Sequence, residues 1–279
     1  MDVVAYQGEA GAYSEQGAVA LFPDAEHRPL PSIRTVFESV EVGRTGWGLV
    51  PMDNSQAGSI NETYDLFLRH GLHLVGETVV RVDHCLLALP GSAIDDLREV
   101  VSHPQAIAQC EEFLSALDVT VRAEYNTAGA AKRIAEDRLE RSAAIASRRA
   151  AELYGLEVLA ERIQTYADNS TRFGALSRNP ESLGEPDKSS LVFGVGHVAG
   201  SLYRCLGAFA ERHLNLTKLE SRPRPGRPWE YVFYADVEAP AQLPEMVEAL
   251  ATLSEHATFT RLLGTYAGAV QRSRSGETA

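Results

Sequence analysis

From the first residue to about position 176, short apolar runs alternate with helix-length amphipathic segments. No other feature limits the possible folds as much. "VVAY" (3–6), "WGLVP" (47–51), "HCLLAL" (84–89), "VVS" (100–102), "VTVRA" (119–123) and "AAIA" (143–146) read as buried strands. Between them, one helix runs to about Phe22. Another starts at Ser32 as N-cap, places Ile33, Val36, Phe37 and Val40 at helical spacing, and stops at Gly43. A third presents Ile60, Tyr64, Phe67 and Leu68 and ends at Gly71. Further helices are expected over 105–117 and 127–138, and in "SRRAAELYGL" up to Gly155. Alternation of this kind predicts an α/β architecture with mostly parallel sheets and active residues at the C-terminal ends of strands.

The pattern breaks at "SRNPESLGEPDKSS" (177–190), whose prolines, Gly184 and polar residues make a linker. Beyond it the order becomes strand 191–196, helix 199–213, strand 214–221, a Pro/Gly-rich loop, strand 229–237, helix 244–255 and strand 258–266. That is β-α-β-β-α-β, the ferredoxin-like order. The final "QRSRSGETA" reads as a frayed tail.

Composition narrows the function. At 279 residues and 44% hydrophobic, the chain can bury two or three cores. A net charge of −12, with only Lys132, Lys188 and Lys218 as lysines, argues against nucleic-acid binding. There is no Gly-x-x-x-x-Gly-Lys phosphate loop. Cys85, Cys110 and Cys205 are widely spaced, with no Cys-x-x-Cys and no histidine cluster, so the reading is no metal and reduced thiols in a cytoplasmic protein. The N-terminus lacks a basic region and a long apolar run, and no segment approaches membrane-spanning length.

Polar residues gather where strands should end. "YQGEAGAYSE" offers Gly8 and Gly11 for close backbone approach, and Ser14 as a helix cap. "VPMDNSQAGS" offers Asp53, Asn54 and Ser55. "SHPQAIAQC" offers Ser102, His103 and Gln105, "EYNTAGAA" offers Asn126 and Thr127, and "DNSTRFGAL" places Ser170, Thr171, Arg172 and Phe173 at the mouth of a strand. Helix N-termini at such points favour anions. Each cluster also has a plain reading: Ser14, Ser32 and Thr127 as N-caps, Gly8 and Gly11 as turn glycines, His103 as a turn residue, Cys110 as core. On pattern alone the chain is an α/β binder of a small anion.

Taken together and in order, these segments resemble the prephenate dehydratase family. "YQGEAGAYSEQGA", "VPMDNSQAGSI", "SHPQAIAQC" and "DNSTRF" match its motifs, and "NLTKLESRP" matches the Glu-Ser-Arg-Pro segment of the ACT domain that follows. The resemblance implies a two-lobed catalytic domain like the periplasmic binding proteins over 1–178 (second lobe about 80–165), a linker over 179–190 and a ferredoxin-like ACT regulatory domain over 191–270. With no room before Val3 for a chorismate mutase domain, it implies the monofunctional form. The implied reaction takes prephenate to phenylpyruvate, water and carbon dioxide in L-phenylalanine biosynthesis, without metal or organic cofactor. Two residues depart from the family pattern: Asp53 stands for the usual glutamate, and Gly200-Ser201-Leu202 for Gly-Ala-Leu.

Expelling hydroxide is the difficult part of that reaction, and a positioned donor contributes about 10²–10⁴-fold. The family role falls on Thr171, with Ser170, Asp53 or a water resupplying the proton. Arg172 is expected to clamp the pyruvyl carboxylate, because an ion pair to the departing ring carboxylate would hold the substrate more than the transition state. Catalytic residues are expected at Thr171, Arg172, Asn54, Ser55 and Asp53. Substrate contacts are expected at Gly11, Ser14, Ser102, His103, Gln105, Asn126, Ser170 and Phe173. By the same resemblance Gly200, Ser201, Leu202, Asn215, Glu220, Ser221, Arg222 and Pro223 hold L-phenylalanine between paired ACT domains. The expected assembly is a homodimer or homotetramer in which a second copy covers the open sheet face and edge. The alternatives are arogenate dehydratase, the same elimination on an amine-bearing substrate, and a non-catalytic sensor, against which the intact "STRF" speaks.

Overall fold

Edge strands and covering helices decide where this chain departs from its sequence pattern. The computed structural model describes residues 2–224 and 230–269. In chain order it contains β1 (Val3–Gln7), α1 (Tyr13–Leu21), β2 (Glu26–Leu30), α2 (Ile33–Glu41), β3 (Trp47–Asn54), β4 (Gly58–Ser59), α3 (Asn61–Arg69), β5 (His73–Arg81) and β6 (Cys85–Ala88). These are followed by β7 (Glu99–Ser102), α4 (Pro104–Gln109), α5 (Glu111–Ser115), β8 (Thr120–Ala123), α6 (Thr127–Glu136), β9 (Ser142–Ala146), α7 (Arg148–Tyr154), β10 (Glu157–Glu161) and β11 (Ser170–Ser177). The C-terminal part holds β12 (Lys188–Val195), α8 (Ser201–Ala210), β13 (Leu216–Pro223), β14 (Tyr231–Val237), α9 (Pro244–His256) and β15 (Phe259–Tyr266). The expected start of a strand at Trp229, part of the Pro/Gly-rich loop and the tail after 270 lie outside the described residues.

The first sheet has the order β2-β1-β3-β11-β5, with β4 on β3, and the second β10-β6-β9-β7-β8. Both are mixed, the first through β4, which is antiparallel to β3. β1 runs parallel to β2 and β3, and β7 to β8 and β9, but β6 is antiparallel to both its neighbours. Strands β2, β5 and β10 have no counterpart in the sequence reading, and all three lie at sheet edges. An edge strand need not be apolar on both faces, so "EHRPL" and "EVLAE" carry no buried-strand signature. For the same reason β8, expected to be buried, is largely exposed.

Local chemistry also sets the helix starts. Ser32 caps α2 through a reciprocal box with Thr35. Ser14 and Thr127 do not cap: Ala12 precedes α1, and Asn126 caps α6 by accepting from Gly129 N at 2.5 Å. The helix expected over 105–117 breaks at Cys110 into α4 and α5.

The chain divides into two compact units, Met1–Thr63 with Thr78–Phe173, and Tyr64–Glu77 with Gly174–Ala279. The first is built on cores in which Leu87, Val101, Ala144 and Ile134, and Leu86, Val100, Ile145 and Leu114, are buried. In the second, β13-β14-β12-β15 form an antiparallel sheet in the ferredoxin-like order. Its first strand begins at Lys188, inside the segment read as linker. One face packs Leu191, Phe193, Phe233 and Ala235 against Cys205 and Phe209 of α8 and Met246 and Leu253 of α9.

The other face of that sheet, expected to await a second copy, is covered by the chain's own residues 64–72. Tyr234 packs its ring 4.8 Å from Tyr64 and donates to the Tyr64 carbonyl at 2.8 Å. Arg222 pairs with Asp65 at 3.2 Å. Arg261 donates to the carbonyls of Phe67, His70 and Leu72, at and just beyond the C-terminal end of α3.

Candidate functional site

A cavity of about 200 Å³ lies in the first unit, and among the described residues no lysine or arginine lines it. Its walls come from the ends of β1 and β3, the starts of α1, α4, α6 and β11, and the turns between them. Thr171 and Phe173 of β11 line it; Arg172, between them, does not. Adjacent strand residues point to opposite faces, and the same rule separates Asn54, which lines the cavity, from Asp53, which does not.

Arg172 and Asp53 therefore meet each other. Arg172 Nε and Nη2 donate to Asp53 Oδ2 at 2.8 and 2.5 Å, and Ser59 donates to Oδ1 at 2.8 Å. This ion pair ties the end of β3 to β11. Four other expected residues also hold the framework. Ser55 donates to the Asp168 carbonyl and accepts from Ser170 N, both at 3.0 Å, which joins Ser55 and Ser170 to each other. Ser102 is fully buried and donates to the Ile145 carbonyl at 2.6 Å. Gly11, at φ +87°, lies so close to α7 that a Cβ would sit 2.9 Å from Ala150 Cα, and its carbonyl accepts from Ser147 at 2.6 Å.

Ser14, His103, Gln105 and Asn126 line the cavity, as do Gln7, Gly8, Tyr13, Ile60, Tyr125 and Thr127. The Ser14 hydroxyl donates to the Gln7 carbonyl. His103 Nδ1 faces Gln105 N at 3.2 Å; a backbone N–H can only donate, so Nδ1 is the acceptor and the neutral ring carries its proton on Nε2. Burial holds the His103 pKa below its ordinary value, which keeps the ring neutral. Tyr125 donates to Glu9 at 3.0 Å, and burial, followed by Glu9, pushes its phenol up to about 12.

Asn54 organises Thr171. Its Oδ1 faces Gln56 N at 3.1 Å and Ala57 N at 2.9 Å, and these two donors fix which end of the amide is oxygen. Its Nδ2 then donates to Asn169 Oδ1 at 2.8 Å, to Thr171 Oγ1 at 3.0 Å and to the Ser170 carbonyl at 3.2 Å. An amide nitrogen cannot accept, so Thr171 is the acceptor in that contact and its own proton is directed elsewhere. Asn169 donates in turn to Gln109 Oε1 at 3.0 Å. Asn169 and Gln109 were not singled out from the sequence, although both lie inside the quoted motifs "DNSTRF" and "SHPQAIAQC". Burial raises the thiol pKa of Cys85 and Cys205, and that of Cys110 to about 12, so all three are core thiols.

The fold and cavity define an α/β protein with a cavity lined by uncharged polar groups, followed along the chain by a ferredoxin-like module. Residues 4–181 match the prephenate dehydratase family and residues 189–255 the ACT domain. The chain is 46% identical over 274 residues to arogenate dehydratase/prephenate dehydratase 2, chloroplastic, of Arabidopsis thaliana, covering 94% of this chain and 72% of that one. Among solved structures, prephenate dehydratase from Arthrobacter aurescens in complex with L-Phe is 30% identical, covers 95% and 90% of the two chains and superposes with TM-score 0.87. GqqA, described as a novel type of quorum quenching acylase, is 34% identical over 96% and 98%, also at TM-score 0.87. The chain belongs to the prephenate dehydratase family, carbon–oxygen lyases of phenylalanine biosynthesis, here with an ACT domain at the C-terminal side.

Proposed function

We propose that this protein removes water and carbon dioxide from prephenate to give phenylpyruvate, with Thr171 as the donor to the departing hydroxyl. The observation that carries this reading is the Asn54–Thr171 contact: Thr171 accepts there, beside the cavity, and so keeps its proton for a ligand. The bond to the ring carboxylate breaks and its electron pair completes the aromatic ring as the carbon–oxygen bond opposite breaks. The hydroxyl takes the Thr171 proton and leaves as water. Asp53 does not line the cavity, so the resupply of that proton is assigned to a water. His103, Gln105 and Asn126, with the N-terminus of α6, are the neutral groups assigned to the substrate's carboxylates.

The same elimination on L-arogenate is a second reading, favoured by the Arabidopsis relative, whose name carries both substrates. The acylase description of GqqA finds no support in the site: Ser14 and Ser55 donate to backbone carbonyls, and among the described residues no histidine is hydrogen-bonded to either. Assaying the purified protein with prephenate and with arogenate separates the first two readings. Failure on both would favour the sensor.

We assign catalysis to residues 1–178 and regulation to 191–270, with 179–190 between them. In the Arthrobacter protein the ligand is L-Phe; here we assign L-phenylalanine to the turn at Gly200, Ser201 and Leu202 and to Asn215 and Ser221, at paired ACT domains of a homo-oligomer. Gly200 takes φ +80° at the start of α8. Glu220 and Arg222 alternate away from Ser221 along β13 and are engaged by Lys218 at 3.1 Å and Asp65 at 3.2 Å, so their role is to hold the strand. Pro223 shares the face of Ser221.

A further inference from the structure

The hydrogen-bond chain that ends on Thr171 begins at a buried histidine outside the cavity wall. His84 is 2% exposed, and its Nε2 lies 2.9 Å from Gln109 Oε1. Its Nδ1 lies 3.3 Å from the Tyr13 hydroxyl, which donates to the Asp83 carbonyl at 2.7 Å. The direction of each bond follows from the two backbone donors on Asn54 Oδ1. They make Asn54 Nδ2 a donor to Asn169 Oδ1, so Asn169 Nδ2 must donate to Gln109 Oε1. Gln109 Nε2 then faces Asn54 Oδ1, at 3.4 Å, with the correct polarity. Gln109 Oε1 can only accept, so the proton of neutral His84 stands on Nε2; the Tyr13 hydroxyl gives its one proton to the Asp83 carbonyl and donates nothing to Nδ1.

We propose that His84, as the Nε2–H tautomer fixed by Gln109 Oε1, is a positioning residue for the reaction. By donating to Gln109 it locks the glutamine's orientation, and through Asn169 that of Asn54, so that Thr171 receives a hydrogen bond and aims its proton at the leaving hydroxyl. Without the Nε2 donor, Gln109 can rotate and present its amide nitrogen to Asn169. Asn169 and Asn54 then lose their common direction. This inference rests on the assignment of Thr171 as donor. Burial keeps His84 neutral, since it lowers the ring's pKa more than the hydrogen bond to Gln109 raises it.

Three proteins and one spectrum test it. His84→Gln keeps an N–H near the Nε2 position; His84→Met has similar length and no donor. The expected result for His84→Met is a fall in kcat of about tenfold to a hundredfold with KM changed by less than about threefold, and recovery of most of that loss in His84→Gln. Equal turnover in the two variants, or a loss confined to KM, would overturn the proposal. Thr171→Val measured alongside separates the failures. If it is slow while His84→Met is not, only the role of His84 falls; if Thr171→Val turns over normally, the donor assignment falls and this inference with it. Nitrogen-15 spectra of wild-type protein with labelled histidine remain decisive even if a variant does not fold. They should show His84 protonated at Nε2, and protonation at Nδ1 alone refutes the proposal.

Discussion

The two units treat buried polar groups in opposite ways. Around the cavity of the first, Asn54, Asn169, Gln109 and His84 are uncharged, and every hydrogen bond among them has one permitted direction. In the second, Lys188 lies 3.0 Å from Glu77 and 3.6 Å from Asp236, with Ser190 and Tyr266 hydrogen-bonded into the same cluster. Glu77 and Asp236 are 8% and 4% exposed. A buried ion pair tolerates small shifts in angle but fails if one partner is removed. A chain of amides carries no net charge and transmits orientation instead. On the proposed function the difference follows from where charge arises: the substrate would bring its own negative charge to the cavity, whereas the second unit holds fixed charges that join strands from distant parts of the sequence.

The largest test of this contrast is Thr171→Val, which removes one donor without changing shape. A fall in kcat of about 10²–10⁴-fold, with the melting temperature and KM nearly unchanged, is expected from steady-state kinetics. Lys188→Met should do the reverse. Two buried carboxylates lose the Lys188 cation, and urea denaturation should show a loss of about 3–5 kcal/mol, while turnover per folded molecule stays close to wild type. A variant that lost turnover without losing stability would break the comparison.

A smaller effect is expected at the regulatory end. Ser221→Ala should raise the L-phenylalanine concentration needed for half-inhibition about fivefold, as expected for one hydrogen bond, and leave uninhibited turnover alone. Glu220→Ala should lower stability instead, because Glu220 lies on the opposite face of β13 and is held by Lys218. Calorimetry on the two variants distinguishes these outcomes.

The smallest effect is the pH dependence of stability. Burial lowers the pKa of His84 and His103 in the folded protein, so the unfolded chain binds more protons than the folded one as these groups titrate. Their contribution is fully present above the ordinary histidine value of about 6.5 and is lost as pH falls through the folded values. Denaturation midpoints followed from pH 8 down to about pH 5 should fall, and His84→Gln should flatten part of that slope.

Much of the architecture was legible before any coordinate. Apolar runs bounded by Gly and Pro marked the interior strands β1, β3, β6, β7 and β9, and the βαββαβ order marked the C-terminal sheet, because burial on both faces demands an unbroken apolar signature. The ordered motifs identified the family for the same kind of reason: residues that must converge leave their types at fixed places along the chain. The sequence could not show which members of a motif face the ligand. Thr171 and Arg172 are neighbours in "STRF", yet one lines the cavity and the other binds Asp53, since side chains on a strand alternate and only the neighbouring strands decide which face is inside. Nor could it show that the Tyr64–Leu72 segment covers the C-terminal sheet, or that His84 lies four partners from Thr171. Those contacts join residues between 25 and 170 positions apart, and only packing in three dimensions selects them.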